Sequence, residues 1–168
     1  MSEPKPSLQP HHDDLKKVLR VLQDTPSLDR EYMAPIEEFQ ARHRRVNDAL
    51  KQHGHVVGLV FSDEQYAGDV PYLGGNTNVS IEQTAGVVGP KGFHIAAGLE
   101  GGYVAEQLAS RAGAIVHKVE LLQLADEKYP IRAERLEDVV AMAAGQEVDH
   151  IALLTPRQVL PASIVDCL

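Results

Sequence analysis

Residues 56–61 read Val56-Val57-Gly58-Leu59-Val60-Phe61, six positions without a charge and without a helical period. A run of this length, rich in valine, is strand-like, and a strand apolar at every position has both faces covered. Leu59 and Phe61 are expected on one face and Val60 on the other, all buried. Everything around the run has to supply those two covers.

Upstream, the spacing predicts a helix over 34–53. Pro35 suits the first turn, where its missing N–H would be unpaired in any case. Glu37 and Glu38 sit at the positive end of the helix dipole, and Gly54 is a stop signal. Ile36, Phe39, His43, Val46 and Leu50 fall on one stripe of that helix. Further upstream, residues 1–12 hold three prolines and read as a flexible leader, and the single domain is expected to run over 13–168. Asp13 or Asp14 is expected to cap a short helix carrying Leu15, Val18, Leu19 and Leu22.

Downstream, 82–88 reads as a second strand, Gly89-Pro90-Lys91-Gly92 as a turn, and 93–97 as its hairpin partner. A helix over 103–112, a strand over 114–119, a helix over 133–144 and a strand over 149–154 follow, and 161–168 has the pattern of a further helix. Helices alternating with apolar strands, with one hairpin between them, predict an α/β fold. The expected form is a three-layer sandwich, a mixed β-sheet with helices on both faces.

The chain has 168 residues, one domain on a prior of about 150 residues per domain. A formal charge of −8 with one basic cluster, Arg42-His43-Arg44-Arg45, argues against nucleic-acid binding, which needs many clustered cations. That cluster is read as a solvated helix face with one core histidine. No apolar run reaches the roughly 18 residues of a membrane helix. The single cysteine, Cys167, forms no internal disulfide, which points to a reducing compartment, the cytoplasm.

Candidate chemistry is sparse. The eight histidines lack the HxxxH or cysteine-paired spacing of a zinc site. His53 and His55 read as a solvated turn, and His43, His94, His117 and His150 as packing residues. Gly98-Leu99-Glu100-Gly101-Gly102 lies where a phosphate loop would sit, but it matches neither phosphate-loop motif and carries an acid. It is read as a glycine-rich turn into a helix. No residue is assigned as catalytic or metal-binding. The long loop over 63–80 holds Val70, Pro71, Tyr72 and Leu73 among polar residues. It is either functional or a short packed helix ending in a tight corner at Gly74-Gly75. In the first reading Tyr72 and Leu73 anchor its root, and Asn76, Thr77 and Asn78 project at its tip.

The order of elements carries a resemblance. A helix with Phe39-Gln40-Ala41-Arg42 and Arg45 precedes the strand 56–61; then come Tyr72-Leu73-Gly74-Gly75 and a hairpin turning at Gly89-Pro90-Lys91-Gly92. This resembles the amino-terminal domain of the creatinase, prolidase and aminopeptidase P (M24) metallopeptidases over roughly residues 36–166. Gly74 stands where that family usually has Thr or Ser. The resemblance implies a non-catalytic domain that supports a homodimer and shapes access to an active site. That site would lie on a carboxy-terminal metal-binding domain acting on Xaa-Pro peptides or a small amide. It implies Mn, Co or Zn in the parent enzyme and no cofactor in this chain, which is expected to be inactive alone. It also places Gly75, Asn76 and Asn78 in a substrate-access loop. The alternatives are a non-enzymatic interaction module and a stand-alone α/β ligand-binding domain. No nucleic-acid or membrane partner is expected.

Overall fold

A computed structural model describes residues 9–26, 34–77, 82–123 and 132–168. The chain divides into two compact units, residues 1–33 and 34–168. The first contains helix α1 (Gln9–Asp24). It starts about a turn before the expected Asp13 or Asp14 cap, because those acids lie inside the helix. There they face Lys16 and Lys17 at i,i+3, at 4.0 and 3.2 Å.

The second unit is α/β. Helix α2 spans Ile36–Gln52 and strand β1 Gly58–Ser62. Helix α3 is Asp69–Gly74. The hairpin is β2 (Thr84–Gly89) and β3 (Gly92–Ala97). Helix α4 (Leu99–Leu108) runs on as a 3₁₀ turn over Ala109–Ala112 and leads to β4 (Ile115–Lys118). Helix α5 (Leu136–Ala144), β5 (Ala152–Leu153) and helix α6 (Ala162–Cys167) complete it. The sheet order is β4-β3-β2-β1-β5. The pairs β1–β2 and β2–β3 are antiparallel, and β3–β4 and β1–β5 are parallel. The sheet is therefore mixed, with five strands and, among the described residues of the chain, six α-helices.

The expected strand 56–61 is the sheet's second-from-edge strand, and all five residues of β1 are buried. Register sorts its side chains by face. Leu59 and Phe61 join Val87, Val139, Val140 and Ile164 in one cluster, under α5 and α6. Val60 joins Leu50, Val70, Leu73, Phe93 and Ile95 in the other, under α2 and α3. The alternation read from the sequence is thus the observed one, with buried side chains on both faces.

Three boundaries shift for physical reasons. Helix α4 begins at Leu99 rather than 103, because Glu82 supplies a cap described below. The strand expected over 149–154 narrows to Ala152–Leu153, an edge strand whose Leu153 and Leu154 stay 39% exposed. A short edge limits stray strand pairing. The loop over 63–80 contains α3, so its packed-helix reading holds for Asp69–Gly74. No helix among the described residues is long and apolar enough to cross a membrane.

Leu59 has no exposed surface. Leu59→Ala is expected to lower unfolding free energy by about 2–5 kcal/mol. Urea denaturation followed by circular dichroism measures it; a smaller loss than that would mean β1 is not held between two packed layers.

Candidate functional site

Helix α2 sets its side chains toward α3 at i, i+3 and i+4 spacing: Phe39, Arg42, His43 and Val46. Arg42 and His43 reach two successive carbonyls in the last turn of α3. Arg42 Nη1 donates to the Tyr72 carbonyl at 2.6 Å, and His43 Nε2 donates to the Leu73 carbonyl at 2.7 Å. The last carbonyls of a helix have no partner within it, so these two side chains act as its cap. Pro71, the residue before them, accepts from Gly75 N at 2.9 Å.

The clamp is held from behind. Arg42 Nε donates to Glu38 Oε1 at 2.9 Å, and its guanidinium lies 4.3 Å from the Tyr72 ring centre and 5.0 Å from that of Phe39. A planar guanidinium makes both contacts at once, which an ammonium would not. The reading of Arg42 as part of a solvated face is therefore corrected: its side chain is 19% exposed and sandwiched between rings. Arg45 stays in solvent, 3.9 Å from Glu38. His43 is buried as expected and stacks on Phe93 with centroids 5.2 Å apart. Burial holds its pKa below the ordinary value and the neighbouring Arg42 charge acts the same way, against the Leu73 carbonyl. The ring is neutral at pH 7.

The other end of α3 is tied to the sheet. Val70 N donates to Ser62 Oγ at 3.0 Å. Thr155 Oγ1 donates to Asp69 Oδ2 at 2.5 Å and accepts from Phe61 N at 2.9 Å. Between α2, α3 and the edge strand β5 lies a groove of about 660 Å³. Val46, Leu50, Val60 and Leu154 floor it; Arg45, His53 and Tyr72 stand at its rim.

Gly75 follows α3 with φ 78°. Asn76 is exposed, and Asn78 lies outside the described residues. Two expectations at this corner are corrected. Thr77 is fully buried rather than projecting, and Tyr72 is 54% exposed rather than anchored in the core. Leu73 alone fills the core, because the α3 turn directs it inward and places Tyr72 under Arg42.

The glycine-rich turn at 98–102 has an internal occupant. Glu82 is 5% exposed, and its Oε2 accepts from Gly101 N at 2.7 Å at the start of α4. A Cβ on Gly98 or Gly101 would stand 2.5 Å from that oxygen. The glycines make room for a carboxylate of the chain itself, so the anion position of this helix start is filled. Burial raises the pKa of Glu82, opposed by the backbone of Gly101 and raised further by the charge of Glu100.

Comparison with protein-family models, with curated proteins and with solved structures returns no match. The site is therefore judged on its own chemistry. Among the described residues no group of three or more His, Cys, Asp or Glu converges to hold a metal. The site's evident chemistry is hydrogen bonding by Arg42, Arg45 and backbone groups around an apolar floor. Two histidines the sequence could not pair, His94 and His117, meet on neighbouring strands.

Removing the clamp uncaps α3. Arg42→Ala is expected to cost about 0.5–1.5 kcal/mol, the net worth of a hydrogen bond to a partner that water can reach. His43 adds a pH dependence. Its folded pKa lies below its unfolded value of about 6.5, so below that pH the unfolded chain binds the extra proton. Stability is fully present above about pH 6.5 and falls as pH drops toward the folded pKa. His43→Gln, which keeps a donor for Leu73, is expected to show a shallower fall in urea midpoint between about pH 7 and about pH 5.5. Equal slopes would contradict the buried, neutral ring.

Proposed function

We propose that this chain is the non-catalytic amino-terminal domain of a creatinase, prolidase or aminopeptidase P-like metallohydrolase. It supports a homodimer and shapes access to a metal site on a carboxy-terminal domain. The fold in this reading is that family's three-layer sandwich, and the compartment is the cytoplasm. The observation that carries the reading is the α2–α3 clamp. Arg42 and His43 bind the Tyr72-Leu73 corner at two points, so the chain leaving Gly75 starts from a fixed position. A corner of that kind suits a loop that must reach a particular place on a neighbour.

The groove supports the same reading. An apolar floor open along a short edge strand suits the flank of a second domain, with Arg45, His53 and Tyr72 as a polar rim. Asn76, with Asn78 in the segment that follows, supplies neutral hydrogen-bonding groups for orienting a peptide or small amide. Such groups orient a substrate and cleave nothing. In this reading the Mn, Co or Zn ions belong to the other domain.

The purified chain is expected to release no product from Xaa-Pro peptides with Mn²⁺, Co²⁺ or Zn²⁺ added, and to retain no stoichiometric metal after gel filtration. Turnover that survives repurification would overturn the reading. In the full-length enzyme, Asn76→Ala and Asn78→Ala are expected to lower kcat/KM by about 5–30-fold, one neutral hydrogen bond or so, with folding intact. Variants as active as the parent would remove the loop from the active site.

A further inference from the structure

Three side chains on the α5 side of the sheet form a continuous hydrogen-bonded chain. His94 Nδ1 lies 2.9 Å from His117 Nε2, and His117 Nδ1 lies 2.7 Å from Glu134 Oε2. The two imidazoles stack with centroids 5.1 Å apart and an interplanar angle of 12°. His94 and His117 are 4% and 7% exposed, whereas the Glu134 side chain is 43% exposed. The chain runs from solvent inward.

The partners fix the protons. A carboxylate only accepts, so His117 carries its proton on Nδ1 and presents a bare Nε2. His94 must then donate from Nδ1, and its buried Nε2 makes no hydrogen bond of normal geometry among the described residues, although the Lys91 backbone acts on the ring. What the chain holds is the crossover from β4 to α5. Val119 N donates to the Ala97 carbonyl and Glu134 N to the Lys118 carbonyl, both at 2.8 Å, and Val119 bridges to Glu134. Glu134 sits in that crossover; the histidines sit on β4 and β3.

We propose that the Glu134–His117–His94 chain is a latch that holds Glu134 beside the end of β4 and opens in acid when a second proton enters the histidine pair.

The first proton is tolerated. It is taken up at His94 Nε2 while the His94 Nδ1 proton crosses to His117 Nε2; His117, now imidazolium, donates to Glu134 and to His94 Nδ1, and both bonds persist. The second proton breaks the chain. With both rings as imidazolium every ring nitrogen is a donor, and the His94–His117 bond has no acceptor. Two like charges then stack in a buried site. Burial, and then the His117 charge, lower the pKa of His94, against the Lys91 backbone and Glu134.

Strand β2 sets Val87 opposite His94, and the buried residues of α5 are Leu136, Val139, Val140, Ala143 and Ala144. Lys118 points to the other face of β4, toward Glu106 and the Tyr103 ring.

Backbone hydrogen exchange of the whole chain tests the latch, with intrinsic rates corrected. Between about pH 7.5 and about pH 5.5 the amides of Val119, Leu122 and Glu134 are expected to lose at least about tenfold protection, while those of β1 and β2 keep theirs. His94→Asn keeps a donor near the Nδ1 position but cannot titrate, so its crossover is expected to stay protected in acid. The same loss in His94→Asn, a loss spread evenly over the sheet, or no loss at all would overturn the proposal. Should that variant not fold, ¹⁵N spectra of the parent imidazoles decide it. In both the neutral and the singly protonated chain His117 carries a proton on Nδ1; a bare His117 Nδ1 rejects the chain.

Discussion

The ring of Phe93 needs space that only glycine leaves. It is fully buried on β3, and a Cβ on Gly86 of the neighbouring strand would overlap it. A Cβ on Gly74 at the end of α3 would stand 2.7 Å from its Cε1 and equally close to Ile95. On the remaining side it stacks against His43 of α2. One aromatic ring therefore fixes how near α2 and α3 approach the sheet. Close-packed interiors do not absorb an extra methyl without movement. The positions of Arg42, of the Tyr72 corner and of the groove beside it are consequences of that approach.

Polar side chains on this face serve backbone groups that regular structure leaves open. Arg42 and His43 take the carbonyls at one end of α3, and Ser62 and Asp69 with Thr155 organise the other end and the N–H of Phe61. A six-residue helix is too short to be stable by itself. It persists because both ends are bound by neighbours and Val70 and Leu73 fill the core. Glu82 does the same for α4 from a position distant in sequence. A buried carboxylate is costly, but it faces the N–H groups at a helix start, where a negative charge is favoured.

Periodicity carried the fold because burial on two faces leaves its mark on every residue of a strand. The run 56–61, the hairpin turn at 89–92 and the stripe from Phe39 to Leu50 were all legible for that reason. Edges were less so: β5 is half-exposed, and its pattern extends past the two residues that pair. The site was mostly illegible. Its contacts join Arg42 to Tyr72 and His94 to His117, thirty and twenty-three positions apart. The parallel register that aligns Ala96 with His117 leaves no local trace. Glu82 read as the start of a strand because nothing in its own neighbourhood announces the helix it caps. The spacing between Arg42 and the Tyr72 corner was visible, but a charged residue in a basic cluster reads as solvated until a ring is seen on each side of it.

The sheet separates two kinds of polar structure. The α2–α3 clamp and the groove belong to the face of Val60, Phe93 and Ile95. The histidine chain belongs to the face of Val87 and Ala96, where the helical cover from α5 is apolar. Alternation along β3 is what divides them, since Phe93 and His94 are neighbours in sequence and point to opposite layers. A charge placed on His94 is therefore separated from the groove by the sheet. It acts first on the Glu134–His117 bond and on the Val119–Glu134 bridge beside it. Loosening there leaves β1, β2 and the clamp on their own hydrogen bonds, so acid would alter one layer while the groove face keeps its shape.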